Sequence, residues 1–461
     1  MALGRRKREQ EQSFWIAGPD LAKSPGHPFY RQLNRLLAQA DFDAFVEELC
    51  APYYAEAVGR PSIPPGMYFR MLFVGYFEGI DSNRGIAWRC ADSLSLREFL
   101  GLEPTTPSPD HSSLTVIRQR LPLEVHEEVF AKVLAVAEDR KLLKGRAVSV
   151  DATTLEANAA MKSLVRRETG EDYRGYLRRL AAESGLEAPS GDDLRKFDKG
   201  RRGKKMSNDD WTSPSDPESR ITKMKDGRTH LAYKAEHVQD VDSELLLSAK
   251  VYAADAADSE TLGESLASAS AHLEGIGSEA TIRDVAADRG YHKIGKLADW
   301  RDEGYRTYVP EQTWPHKHNW ENRSEEERRA YELNRRRCRS GRGRKLQRLR
   351  RERMERSMAH VCDTGGGRRS WIRGRVEVGK DYLMRAAGFN LGVMMRKLFG
   401  VGSPRSLQGG GLYALLRALM ARYSAVTLHL RLAMEKVSDL SAVASRNCRT
   451  AAGTVCLLRS A

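Results

Sequence analysis

The stretch AVSVDATTLEA at residues 147–157 alternates apolar and polar side chains, with Val148 and Val150 on one face and Ser149 and Asp151 on the other. This alternation is typical of a half-buried β-strand. Aspartate is depleted in strands, because its short carboxylate competes with backbone hydrogen bonds and is costly to bury. Asp151 therefore either caps or turns the strand end, or it has a partner such as a metal cation.

Two further segments present one well-placed carboxylate each. The strand-like run TIRDVAAD at residues 281–288 ends in Asp288, and the helix-like run RRERMERSMAH at residues 350–360 contains Glu355. Three acids that face one point can hold two divalent cations, which is the arrangement used to cut and join phosphodiesters. Asp284 lies on the same strand face as Asp288 and is its rival for this role.

The chain is strongly basic. Its 461 residues carry a net charge of +14, and residues 328–356 contain 14 Lys and Arg against three acids. This length predicts roughly two to four domains. The charge indicates either a polyanionic partner or a basic enzyme without one. The arginine-rich segment correspondingly predicts either a DNA-backbone contact or a solvated helix.

Several classes of protein are disfavoured. The six cysteines form no CxxC pair, so a zinc site is not expected and the thiols are expected to be reduced. No apolar segment follows the basic start, and arginines interrupt the apolar run at 412–434, so we expect neither a secretory signal nor a membrane span and predict a cytoplasmic protein. The glycine run at 365–367 lacks the lysine of a phosphate-binding loop.

Four regions are expected along the chain. Residues 1–27 form a mobile leader, and residues 28–140 form a helical N-terminal domain whose first helix has the apolar stripe Tyr30, Leu33, Leu36 and Leu37. Residues 141–400 alternate strand-like and helix-like runs, with a charged insertion at about 163–227 that we interpret as a long loop, in part disordered. Residues 401–461 form a helical tail. The predicted fold class is α+β, with a mixed α/β second domain.

Histidine and tryptophan residues are mostly assigned structural roles. His111, His237 and His292 are interpreted as structural or surface residues rather than ligands. Trp314, Trp320 and Trp371 are core candidates, with the alternative that one of them stacks on an unpaired base.

These segments together resemble a known family, the DDE-type bacterial insertion-sequence transposases. The resemblance is carried by SVDATTLEAN (149–158), AADRGYHK (286–293) and ERSMAHVCDTGGGRRSWIRGR (355–375), and in the helical region by SLREFLGL (95–102) and PDHSSLTVIRQR (109–120).

The resemblance implies an RNase H-like catalytic domain behind a helical DNA-binding domain. It assigns Asp151, Asp288 and Glu355 to a catalytic triad that binds two Mg²⁺ (or Mn²⁺) ions. It implies cleavage of element ends and strand transfer, with double-stranded DNA as partner, a homodimer or larger active complex, and nucleoid association. The candidates for contact with DNA are three arginines of the basic segment: Arg348, Arg351 and Arg356.

The sequence departs from the family near the glutamate. Relatives carry a Tyr, Arg, Glu, Lys signature, of which Arg351 and Glu355 match, whereas Arg348 stands at the tyrosine position and Cys362 at the lysine position. The alternative function is therefore a catalytically decayed DNA-binding protein derived from a transposase. An RNA-associated protein is a third possibility, but no aromatic RNA-binding motif supports it.

Overall fold

The computed structural model describes residues 25–55, 62–103, 105–202, 206–224, 226–312 and 320–407. Most of the predicted leader and tail, and also Trp314, lie outside the described residues. The first part is helical, as predicted. Its helices are α1 (Pro28–Ala38), α2 (Phe42–Cys50), α3 (Pro65–Glu78), α4 (Asn83–Asp92), α5 (Leu94–Phe99), α6 (His111–Arg120) and α7 (Leu123–Asp139).

The helical region is held by apolar stripes that are visible in the sequence. On α1, Tyr30, Leu33, Leu36 and Leu37 are all buried, which confirms the predicted stripe. Helix α3 begins at the second of two consecutive prolines, is buried nearly all round, and ends where Gly79 takes a left-handed conformation with φ 68°. Glycine adopts positive φ without steric cost, so it ends this central helix of the N-terminal core sharply.

The second part is a mixed α/β sheet with helices on both faces. Its strands are β1 (Ala147–Glu156), β2 (Val165–Arg166), β3 (Trp211–Thr212), β4 (Arg220–Lys223), β5 (Thr229–Asp240), β6 (Leu246–Ala253), β7 (Asp284–Ala286) and β8 (Arg306–Tyr308). Its helices are α8 (Tyr173–Glu183), α9 (Gly191–Gly200), α10 (Asp258–Gly275), α11 (Ile294–Asp302), α12 (Glu325–Arg339), α13 (Gly341–Met358) and α14 (Arg375–Phe399).

The sheet joins an antiparallel half to a parallel half at β1. Strand β5 pairs antiparallel with β1, β4 and β6, while β7 pairs parallel with both β1 and β8. This is the mixed sheet of an RNase H-like fold, as predicted. Helix α10 packs on one face, and α13 and α14 pack on the other. Helix α14 also contacts α3 and α7, so it joins the helical region to the sheet.

The charged insertion differs from the prediction. Instead of a long loop it contains α8 and α9, with the two-stranded ladder of β2 and β3 beside them. The reason is that its few apolar residues recur at helical spacing, so that Leu177, Ala181 and Leu194 form a small core of their own. Asp172 and Ser190 cap the two helices through their side chains.

No helix within the described ranges is long and apolar enough to cross a membrane.

Candidate active site

The sheet brings two of the predicted acids to the same level. Strands β1 and β7 pair in parallel, with Ala147 opposite Asp284 and Ser149 opposite Ala286. Extending this register by two residues beyond the end of β7 would bring Asp288 to the level of Asp151, whose carboxylate lies on the sheet face that α13 covers. Both aspartates are half-buried. Asp151 is thus on β1, whereas Asp288 lies in the turn that follows β7.

The carboxylate of Asp151 is already engaged by the protein. Its Oδ1 accepts a hydrogen bond of 2.9 Å from the Ala152 N–H, and its Oδ2 accepts one of 2.8 Å from Arg350 Nη1. Arg350 lies on α13 and is only 8% exposed. Its Nε in turn donates to Gln347 Oε1 at 3.2 Å. A buried guanidinium thus neutralises the first aspartate of the predicted triad.

Asp288 caps the short turn that follows β7. Its Oδ1 accepts a 2.8 Å hydrogen bond from the Gly290 N–H and begins a 3₁₀ turn at Arg289–Tyr291. A Cβ on Gly290 would lie 2.6 Å from Asp258 Oδ2 and 3.1 Å from Asp288 Oδ1. A side chain at this position would therefore require the two carboxylates to shift.

A buried polar network lies behind this turn. The Tyr291 hydroxyl and the Thr261 hydroxyl each donate to Glu236 Oε2 at 2.8 Å. Lys234 Nζ donates to Thr261 Oγ1 at 2.9 Å and to Asp258 Oδ1 at 3.1 Å.

Burial raises the pKa of Glu236, because a charged carboxylate loses hydration there. Burial, and then the nearby Glu236 carboxylate, also raise the pKa of Tyr291 well above its usual value. No sequence motif singled out Glu236 for this place, and Tyr291 was not predicted to have a role although it lies only three positions after Asp288.

Glu355 lies on α13, beside the two strands but exposed. It follows Gln347 and Arg351 at intervals of four residues, so the three share one flank of the helix. Gln347 fixes that flank to the sheet, since its Nε2 donates to the Ala287 carbonyl at 2.9 Å. Among the residues that the structure describes, no group of three or more His, Cys, Asp or Glu side chains could hold a metal ion. The convergence of all three acids therefore stays a prediction.

Asp284, the rival of Asp288, has a different environment. It lies at the start of β7, is 1% exposed, and accepts a 3.2 Å hydrogen bond from the Tyr308 hydroxyl. Arg342 of α13 pairs with its other oxygen. Burial, with Asp284 alongside, raises the pKa of Tyr308. Asp284 thus anchors α13 to the sheet four residues before the level of Asp151 and Asp288.

The three predicted DNA-binding arginines are not equivalent. Arg348 and Arg351 are exposed on α13. Arg356 instead donates to Glu244 at 3.1 Å and to Glu352 at 2.9 Å. The first two guanidinium groups are therefore more available to an external phosphate than the third.

The position expected to carry a lysine is buried. Cys362 is 1% exposed, and its Sγ is 3.6 Å from the Tyr382 hydroxyl. A nearby cation is Arg368, whose Nη1 donates to Thr153 Oγ1 at 2.9 Å. Thr153 is two residues after Asp151 and so lies on the same face of β1. Arg368 is thus a further residue near the site whose role was not predicted from the sequence.

The histidines and tryptophans divide between core and surface. His237 is fully buried, with Nε2 2.8 Å from the Tyr382 hydroxyl, and burial lowers its pKa to about 3. His292 is buried, whereas His111 pairs with Asp110 at the surface. Trp371, a core candidate, is 47% exposed, with the Arg369 guanidinium stacked on its ring. The core assignment of Trp371 was wrong, because its Nε1 is held at the surface by Asp81.

Comparisons with known proteins give two family matches. Residues 20–120 match a family described as Transposase domain (DUF772), and residues 195–387 match one described as Transposase DDE domain. The second match contains Asp288 and Glu355, whereas Asp151 lies before it. No curated protein and no solved structure matches the chain. The two matches, one on the helical region and one on the sheet region, identify the chain as an insertion-sequence transposase of the DDE type.

Proposed function

We propose that this protein cuts double-stranded DNA at the ends of an insertion sequence and joins those ends to target DNA. The family acts on DNA and generally uses divalent metal ions. The proposal is supported by the sheet register: β1, which carries Asp151, pairs in parallel with β7, and Asp288 follows two residues after β7 ends.

The donor set fits a hard divalent cation in chemistry. Carboxylate oxygens are the ligands that Mg²⁺ and Mn²⁺ prefer. Asp151 and Asp288 would hold the ions, and Glu355 would complete the set from α13. Two bound ions would activate the attacking oxygen and stabilise the leaving oxygen of the phosphodiester. The carboxylates act as ligands, while the exposed Arg348 and Arg351 neutralise the DNA backbone.

The domain division follows from the same assignment. We propose that residues 28–140 bind DNA, that residues 141–400 carry the chemistry with the insertion at about 163–227, and that the active complex is a dimer or larger. A homodimer or larger complex would let the chain act on both element ends.

Replacing Asp288 by Asn tests the chemistry. Asparagine can still accept the Gly290 hydrogen bond, so the turn should persist, but it loses the charge that holds a cation. We expect Mg²⁺-dependent cleavage of an end-containing duplex to be lost, with DNA affinity and melting temperature nearly unchanged. Asp192→Asn, at an exposed acid of α9, is the matched control and should cleave normally. Normal cleavage by the Asp288→Asn variant would contradict the proposal.

The second candidate function is a DNA-binding protein that has lost catalysis. Two observations favour it: Arg350 occupies the Asp151 carboxylate, and a buried cysteine stands at the expected lysine position. DNA binding by the wild-type protein, with no cleavage in Mg²⁺ or Mn²⁺, would decide for this function.

A further inference from the structure

The ion pair between Arg350 and Asp151 competes with any cation at this site. Arg350 Nη1 is 2.8 Å from Asp151 Oδ2, and the Ala152 N–H occupies the other oxygen at 2.9 Å. A divalent cation such as Mg²⁺ binds a carboxylate oxygen at about 2.0–2.1 Å. A guanidinium and a dication on the same small carboxylate would repel each other, so the Arg350 contact opposes cation binding.

The pair is also well shielded from water. The Arg350 side chain is 10% exposed and that of Asp151 is 28% exposed. Charge-assisted bonds in such surroundings are stronger than those at the surface. The guanidinium is fixed from behind as well, because Gln347 accepts from its Nε and is itself bonded to the Ala287 and Tyr308 carbonyls.

We propose that Arg350 is the resident counter-ion of Asp151 and that it competes with a divalent cation for this carboxylate. This inference rests on the proposed function and adds a residue that sets the metal affinity. Arg350 therefore orients the Asp151 carboxylate, and weakens metal binding by occupying one of its oxygens.

A second arginine of α13 offers a matched control for the proposed role of Arg350. Arg342 makes the equivalent contact from the same helix, to Asp284 at the start of β7. Asp284 lies four residues before the proposed ligands. Removing the Arg342 guanidinium thus changes the charge of α13 by the same amount without freeing a ligand oxygen.

The experiment is a Mn²⁺ titration of the full-length protein without DNA, followed by the electron paramagnetic resonance signal of free Mn²⁺. We expect Arg350→Gln to bind Mn²⁺ about tenfold more tightly than wild type, the effect of losing one charged hydrogen bond that competes for the ligand. Arg350→Lys, which keeps the charge, should lie between the two. Arg342→Gln should bind like wild type, and adding Asp151→Asn to Arg350→Gln should abolish the gain.

Circular dichroism and melting temperature establish that each variant is folded. Arg350→Met, which keeps the aliphatic stem, replaces Arg350→Gln if the latter does not fold. Unchanged or weaker Mn²⁺ affinity on loss of the Arg350 guanidinium would overturn the inference, as would an equal gain in Arg342→Gln. If the wild type cleaves DNA but the Arg350 variants bind Mn²⁺ no more tightly than the wild type, the proposed role of Arg350 is wrong and the proposed function is unaffected. If Asp288→Asn cleaves normally, the proposed function fails instead.

Discussion

The Tyr291 hydroxyl donates a 2.8 Å hydrogen bond to Glu236 Oε2, and both side chains are fully buried. Glu236 lies on β5 directly opposite Ala152, the residue after Asp151. Tyr291 ends the turn that Asp288 begins. This one bond therefore links the strand pair that carries the first aspartate to the turn that carries the second.

Replacing Tyr291 by Phe should loosen that link without creating a cavity. We expect a loss of about 1–2 kcal/mol in the free energy of unfolding, because a buried carboxylate loses one of its donors. Cleavage should also fall, since the turn that holds Asp288 is less well fixed. Urea denaturation and a cleavage assay measure the two effects. Tyr53→Phe, at a tyrosine that is 40% exposed, is the control and should change neither quantity.

A second prediction concerns the pH dependence of stability. His126 is buried in α7, where its Nδ1 is 3.0 Å from the Pro122 carbonyl and its Nε2 is 3.2 Å from the Tyr68 hydroxyl. Because a carbonyl only accepts, the neutral ring carries its proton on Nδ1. Burial lowers the pKa of His126 to about 4.

The free energy of unfolding depends on pH because the folded and unfolded chains bind different numbers of protons at His126. The unfolded chain, with a histidine pKa of about 6.5, binds a proton that the folded chain does not bind until about pH 4. The contribution of His126 is therefore complete above about pH 6.5 and is lost as the pH falls toward 4, by up to about 1.4 kcal/mol per pH unit. His126→Gln should flatten the slope of unfolding free energy against pH in this window. An unchanged slope, or equal flattening by His111→Gln, would contradict the assignment.

The sheet was largely predictable from the sequence, because its strands are either alternating or continuously apolar and lie between clear turns. Strand β1 is found where the alternating run AVSVDATTLEA predicts it. The predicted run TIRDVAAD yields only three residues of strand, at Asp284–Ala286. Its end is lost because Asp288 turns its carboxylate back to cap Gly290, a local bond that competes with the ladder.

The acids of the candidate site could be proposed from the sequence, whereas the arginine beside them could not. Asp151 and Asp288 could be selected because aspartate at a strand end is unusual. Arg350 could not be distinguished from its neighbours, because 14 Lys and Arg crowd residues 328–356. Only the packing of α13 decides which guanidinium faces Asp151. Glu236 could not be selected from the sequence either, because its partners Thr261 and Tyr291 are 25 and 55 residues away and are brought to it only by the fold.

A third prediction separates backbone attraction from the active site. Arg348 and Arg351 are exposed on α13, so the double change Arg348→Gln and Arg351→Gln should weaken duplex binding equally for all sequences. The slope of log K against log salt should fall by about 0.9 for each DNA phosphate that is no longer neutralised. Fluorescence anisotropy across a salt series measures it. Arg195→Gln, at an 85% exposed side chain of α9, should leave the slope unchanged. An equal fall of the slope in this variant would mean that α13 has no special role in DNA binding.

A fourth prediction places the recognition of element ends in the helical N-terminal region. Helix α4 presents Arg84 and Trp88 one turn apart on its exposed side, and Trp88 is 65% exposed. A helix that enters the major groove reads base edges with such side chains, and each good arginine contact discriminates by about 1–3 kcal/mol.

The measurement uses the full-length chain, because α14 covers α3 and α7 and an isolated N-terminal fragment would expose that core. Arg84→Ala should reduce the preference for end-sequence over scrambled duplex by roughly tenfold, while the affinity for scrambled DNA changes little. The α13 double variant should show the reverse, with weaker binding to both duplexes and an intact ratio. If Arg84→Ala preserves the ratio and the α13 variant loses it, sequence is read beside the carboxylates and the proposed division of roles between the two regions is wrong.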